Sequence, residues 1–291
     1  MASRALVLGG GGIVGVAWET GLVKGLRDGG VDPAAAELIV GTSAGSITGA
    51  QVRAGLSLDA LYAAQQEPDT GELRALMAGI DTQALVALFG KWATTAEMTP
   101  AIAAEIGQLA LAATTVGEEE WLSGIGSVLQ VSGWSAGRLV ATAVDAETGA
   151  LAAWSNDSGV PLLSAIASSC AVPGLFPPVS INGRRFIDGG VRSGTNADLA
   201  RGHDTVVIVA PIGASPEGIG AIARRQLDAE IAALRDAGAT VEVILPDAEA
   251  LAAFGPDLMN PERRSLAAEA GLRQGAAAAV VLRERWAAVG V

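Results

Sequence analysis

Leu38-Ile39-Val40-Gly41-Thr42-Ser43-Ala44-Gly45-Ser46 is the stretch on which the reading of this chain turns. Leu38 to Val40 reads as a short buried strand, and Ser46 to Ala54 as a helix. Between them lies Gly41-Thr42-Ser43-Ala44-Gly45, a Gly-x-Ser-x-Gly pattern in the strand–turn–helix setting that gives it meaning. A turn that sharp pushes the serine into a strained backbone conformation with its Oγ exposed. Gly41 and Gly45 remove the Cβ atoms that would collide with neighbouring backbone. The helix amino end behind Ser43 also favours nearby negative charge. The pattern by itself arises easily in a chain with 38 Gly among 291 residues. Its context makes Ser43 the candidate nucleophile.

Working towards the amino terminus, Arg4-Ala5-Leu6-Val7-Leu8 reads as a buried strand ending at Gly9. Gly9 to Gly12, then Ile13-Val14-Gly15, follow it. Trp18, Leu22 and Leu26 then recur at helical spacing. Gly10, Gly12 and Gly15 satisfy the dinucleotide fingerprint Gly-x-Gly-x-x-Gly. That reading requires an acidic residue at the tip of the second strand, where the chain has Gly41-Thr42-Ser43 instead. The competing reading is an oxyanion hole, bare backbone N–H groups at a helix amino end. A second strand that delivers a nucleophile favours the oxyanion hole. A plain tight turn for close helix packing is the third reading.

Beyond the elbow, residues 57–130 lack clear strands. They carry helical stretches rich in Ala and Leu, such as Asp81 to Phe89 and Pro100 to Ala113. This is expected to be a helical insertion, an apolar wall or lid over the Ser43 site, with Leu109 and Leu111 among its apolar residues. Arg138 to Val144 is expected as a strand, with Leu151 to Trp154 pairing back on it. Phe186-Ile187, Thr205 to Val209 and Val241 to Leu245 are further strands; Pro216 to Ala237 and Pro261 to Trp286 read as helices. The uncharged run Ser158 to Gly183 holds four prolines and reads as a buried loop-and-turn segment, not a membrane helix. Strand–helix alternation argues for an α/β fold with a mostly parallel sheet covered on both faces. No linker cuts the chain, so residues 1–291 are expected to form one domain.

Composition narrows the function. Half the residues are hydrophobic and 17% are charged, which excludes disorder. Acidic residues outnumber basic ones 31 to 19, for a net charge of −12. Gripping a phosphate backbone needs the opposite balance, so no nucleic-acid partner is expected. The single Cys170 and single His203 exclude a disulfide framework and Cys- or His-rich metal sites. A reducing, cytoplasmic compartment fits this cysteine usage.

A serine nucleophile needs a base. His203 precedes the Thr205–Val209 strand and so belongs at its amino end, on the side of the sheet away from Ser43. Asp188 is better placed. It follows the short Arg185-Phe186-Ile187 strand, and Gly189-Gly190 let the chain turn and expose the carboxylate. Asn196 either braces this turn or is ordinary turn chemistry. Trp121 and Trp134 flank an uncharged stretch and read chiefly as packing within the insertion, and Cys170 as a buried inert thiol.

The glycine loop, Gly41-Thr42-Ser43-Ala44-Gly45 and Asp188-Gly189-Gly190, in this order, resemble the patatin-like phospholipase family. So do Ser168-Ser169-Cys170-Ala171-Val172-Pro173 and Phe176-Pro177-Pro178-Val179. The matches run from about residue 4 to residue 210. The resemblance implies a three-layer α/β/α fold and a Ser–Asp dyad of Ser43 and Asp188 without histidine. It implies an oxyanion hole from the backbone around Gly10, Gly11 and Gly12 together with Ala44, and motif glycines at Gly41, Gly45 and Gly189. It further implies hydrolysis of lipid or other acyl esters with no cofactor and no catalytic metal, and leaves room for transient contact with a membrane surface. Such a base should be partly desolvated, because an ordinary Asp is weak. The chain departs from the family at Val14, where the glycine loop usually carries Arg or Lys. That departure favours a less charged ester over a phospholipid. It also leaves open a catalytically weak acyl-binding protein on the same fold, and a dinucleotide-binding protein ranks behind both.

Overall fold

A computed structural model of the chain describes residues 3–69, 71, 75, 97–214 and 218–287. The strands are β1 (Arg4–Leu8), β2 (Leu38–Thr42), β3 (Arg138–Asp145), β4 (Leu151–Trp154), β5 (Val179–Ile181), β6 (Arg184–Asp188), β7 (Thr205–Val209) and β8 (Thr240–Ile244). They form one eight-stranded sheet in the order β5-β6-β3-β2-β1-β7-β8, with β4 also paired to β3. The run β3-β2-β1-β7-β8 is parallel, while β4, β5 and β6 pair antiparallel.

Alternation along each strand divides the core into two layers. Leu6, Leu8 and Ile39 point to one face, into the cluster formed by α1 (Gly12–Asp28), α2 (Ala44–Arg53) and α9 (Arg264–Ala287). Ala5, Val7 and Val40 point to the other, against Leu227 and Leu234 of α7 (Gly218–Asp236). The result is α/β/α, as expected from the family resemblance. α1 and α9 pack unusually close. Cβ atoms added at Gly21 and Gly25 would overlap the carbonyls of Ala268 and Leu272, and at Gly271 and Gly275 those of Trp18 and Leu22. Two Gly-x-x-x-Gly pairs therefore face each other and fix α1, whose amino end carries the glycine loop.

Within 57–130 the described helices are α3 (Leu58–Gln66), α4 (Pro100–Ala112) and α5 (Glu118–Leu129); the expected helix Asp81 to Phe89 lies outside the described residues. Leu111 packs into a cluster with Val144, Ile187 and Val191, so α4 buttresses the strand that carries Asp188. Leu109 is 45% exposed and does not wall the site as expected. Trp121 is buried and stacked on Phe176, with ring centroids 3.9 Å apart.

Two elements depart from the sequence reading. Leu162–Ser169, inside the expected loop, forms α6. Its prolines lie outside the helix, and Pro161 sits at its N-cap, where a missing N–H costs nothing. β5 and β6 form a hairpin across Asn182 and Gly183, both at positive φ (51° and 77°). Asn-Gly is the strongest short hairpin signal. α8 (Ala248–Phe254) completes the described helices. No helix among the described residues is long and apolar enough to cross a membrane.

Candidate active site

The register of β3 brings the two candidate side chains together. β2 pairs with residues 138–142 of β3, and β6 with residues 143–145. β4 pairs with residues 141–144 and so overlaps both partners. A strand has two edges, so β2 and β6 share one edge of β3 and β4 takes the other. Parallel β2 runs towards the junction and antiparallel β6 runs back to meet it. Their carboxyl ends meet beside Thr142 and Ala143, where β2 hands the chain to Ser43 and β6 ends at Asp188.

Ser43 has φ 52° and ψ −118°, a conformation that strains any residue with a Cβ. It is the N-cap of α2, yet its hydroxyl makes no capping bond. Its carbonyl accepts from Ser46 N–H at 2.9 Å and Ser46 Oγ at 2.7 Å, and its own N–H donates to Ser169 Oγ at 3.0 Å. The backbone is thus held from three directions and Oγ is left for other work. The flanking glycines are sterically required. A Cβ at Gly45 would overlap the Leu8 carbonyl, and one at Gly41 would lie 2.5 Å from Ser46 Cα.

Asp188 is 4% exposed. Gly190 N–H donates to its Oδ1 at 2.7 Å, whereas Oδ2 is buried without a hydrogen-bond partner. Burial pushes the carboxyl up from 3.8 to about 7; the nearby Ser43 hydroxyl and the Gly190 N–H hold back part of that rise. Gly189 has no room for a side chain, because a Cβ there would overlap Thr142 Oγ1. Cys170 is buried beside both groups, with Sγ 3.7 Å from Ser46 Oγ. Burial, and then the Asp188 charge, push its thiol far up, which leaves it inert as a nucleophile.

The glycine loop lies against this pair. A Cβ on Gly10 would come within 3.5 Å of Ser43 Cβ, and Gly9 carbonyl accepts from Gly45 N–H at 3.1 Å. Gly10 N–H itself donates to the Gly194 carbonyl at 2.8 Å. That donor is spent in this arrangement, which removes Gly10 from the expected oxyanion donors. Gly11, Gly12 and Ala44 stand at the amino ends of α1 and α2, where N–H groups have no intrahelical acceptor. Val14 is fully buried in the core, and its N–H donates to Leu258 carbonyl at 3.0 Å. Position 14 therefore faces packing in this chain. A Val14→Arg exchange would bury a charge instead of testing head-group recognition. His203 lies at the amino end of β7, its Nδ1 2.9 Å from Ala200 O, remote from Ser43 as the topology requires. Among the described residues no group of three or more His, Cys, Asp or Glu could hold a metal ion.

From the sequence Asn196 reads either as a brace of the Asp188 turn or as ordinary turn chemistry. In the structure it is fully buried and its Nδ2 reaches Thr42 Oγ1 at 3.0 Å and Gly189 O at 3.3 Å. Ser169 carried no signal of its own beyond the Ser168-Ser169-Cys170 segment.

A doubly covered sheet with a serine elbow at the carboxyl ends of its strands defines an α/β class with many chemistries. Within it, this chain belongs to the patatin-like phospholipase family, whose sequence model matches residues 6–201. Among solved structures it is similar to VipD from Legionella pneumophila, at 13% identity and a TM-score of 0.46, over 96% of this chain and 67% of that one. It is also similar to the type III effector protein ExoU, at 15% identity and a TM-score of 0.44, over 97% of this chain and 53% of that one. The chain thus spans about two thirds and about half of those proteins. No curated protein matches it.

Proposed function

We propose that this protein is a serine acyl-ester hydrolase in which Ser43 is the nucleophile and Asp188 the base. The observation that carries the reading is the meeting of two strand ends on one edge of β3. The Ser43 hydroxyl, which makes no capping bond, stands there near a buried carboxyl whose Oδ2 has no hydrogen-bond partner. Family membership supports a lipid or related ester as substrate.

In the first step Ser43 Oγ attacks the ester carbonyl carbon while its proton passes to Asp188 Oδ2. The tetrahedral oxyanion is held by the N–H groups of Gly11, Gly12 and Ala44. Collapse breaks the bond to the alcohol oxygen, which takes the proton from Asp188 and departs. A water then gives a proton to Asp188 and attacks the acyl-enzyme. Ser43 leaves as the alcohol with that proton, and the carboxylic acid is released. A carboxyl near 7 is well matched to giving and taking protons at neutral pH.

The chain is strongly acidic, and that supports neutral esters as substrates. The test is a panel of short p-nitrophenyl esters, monoacylglycerols and diacyl phospholipids. Faster turnover of the neutral esters is expected. Absence of turnover on every ester would refute the hydrolase reading, and a strong phospholipid preference would refute the neutral-ester part.

A further inference from the structure

Asn196 occupies a position that the reaction scheme does not use. It lies in the turn after Asp188, is fully buried, and holds a left-handed backbone at φ 49° and ψ 38°. Both neighbours are tied to one carboxyl on α7. Thr195 Oγ1 donates to Glu230 Oε2 at 2.5 Å, and Ala197 N–H donates to the same oxygen at 3.0 Å.

The orientation of the Asn196 amide is settled by its surroundings. Arg192 donates to Oδ1 at 2.7 Å, and the same guanidinium is forked onto Asp198 at 2.9 and 2.7 Å. The Nδ2 end therefore faces inward, towards Ser193 O at 2.8 Å, Thr42 Oγ1 at 3.0 Å, Thr142 Oγ1 at 3.3 Å and Gly189 O at 3.3 Å. Two N–H bonds are shared among these four oxygens. Thr42 immediately precedes Ser43, Gly189 immediately follows Asp188, and Thr142 stands on β3 between the two strand ends. Thr42 and Thr142 also bond each other, Oγ1 to Oγ1, at 2.9 Å.

We propose that Asn196 is a positioning residue that locks the two facing strand ends together and so fixes the approach of Asp188 to Ser43. The proposal rests on the Ser43–Asp188 reading above. β2 and β6 do not pair with each other; β3 is the one strand that both hydrogen-bond to. The Asn196 amide reaches the flanks of both, with the Thr142 hydroxyl lying between them. Its left-handed conformation is one that Asn tolerates better than most residues. Glu230 holds that conformation from outside.

The test uses Asn196→Gly and Asn196→Asp in the full chain. Glycine accepts positive φ without strain, so the fold is spared while the amide is lost. Aspartate keeps the shape and the bond to Arg192. Beside that guanidinium it stays ionised and cannot donate inward. For both, kcat on a p-nitrophenyl ester should fall about 10²-fold, the cost of a misplacement near 1 Å, with KM within about threefold. In Asn196→Gly the midpoint of the pH–rate profile should also move down from about 7, because a loosened Asp188 gains water. Wild-type kcat and midpoint in a folded Asn196→Gly protein, or full recovery in Asn196→Asp, would overturn the proposal. If neither variant folds, the double variant Thr42→Val and Thr142→Val removes the threonine oxygens that receive the amide. An unchanged kcat there would equally overturn it. Failure of the dyad reading looks different: wild type itself would then show no Ser43-dependent turnover.

Discussion

Replacing Asp188 with asparagine should make the protein more stable as it makes it less active, and the two effects have separate pH signatures. The wild-type carboxyl is buried and raised from 3.8 to about 7. Its folded value lies above its unfolded one. The stability of the wild type is therefore fully present below the unfolded value and is lost as pH rises through about 7. At about 1.36 kcal/mol per tenfold, the full loss is on the order of 4 kcal/mol. Asparagine keeps an acceptor for Gly190 N–H and cannot ionise. Its stability relative to wild type should therefore improve by roughly 2–3 kcal/mol between about pH 5 and about pH 8. Urea unfolding of both proteins at those two pH values measures the change, and all other titrating groups cancel in the comparison. A gap that is the same at both pH values would refute the placement of a desolvated carboxylate at 188. Activity supplies the second signature. Wild-type kcat/KM should rise about tenfold per pH unit below about 7 and then level, and Asp188→Asn should cost about 10²–10⁴-fold.

Glu19 on α1 is fully buried, and burial raises it well above the ordinary carboxyl range against the smaller opposing effects of Thr48 and the Gly9 backbone. Glu19→Gln should raise Tm more at about pH 8 than at about pH 4; a Tm gap that shrinks with rising pH would contradict this. Gly189→Ala should destabilise by about 1–3 kcal/mol in a denaturant melt, since its Cβ would overlap Thr142; a neutral change would show that the turn relaxes freely. His203→Ala should leave kcat within a few-fold of wild type, and a collapse of activity in the folded variant would restore a Ser–His–Asp mechanism.

The elbow was legible because its signal is local. A short apolar strand, two glycines around a serine and a helix start are read from neighbouring residues, and the same holds for Asp188 before Gly189. The α/β alternation and the place of His203 at a strand's amino end followed from parallel topology. The closeness of Ser43 and Asp188 did not, because it depends on β6 running antiparallel along the second half of β3. Asn182-Gly183 carried the hairpin signal that gives β6 that direction. The α6 helix was hidden in a run of Ser, Ala and Pro with no polar face to mark a period. The loss of Gly10 as a free donor depends on Gly194, nearly two hundred residues away, which no local pattern can report. Val14 read as a missing charge, and only three-dimensional packing shows that its side chain faces the core.

The central claim is that Ser43 is the residue that becomes acylated. Reaction with a fluorophosphonate probe, followed by proteolysis and mass mapping, tests it most directly. The account predicts one adduct, on the peptide that carries Ser43, formed faster as pH rises through about 7 and absent from Ser43→Ala. An adduct that maps to another residue, such as Ser46 or Ser169, or labelling that persists in a folded Ser43→Ala protein, would contradict it.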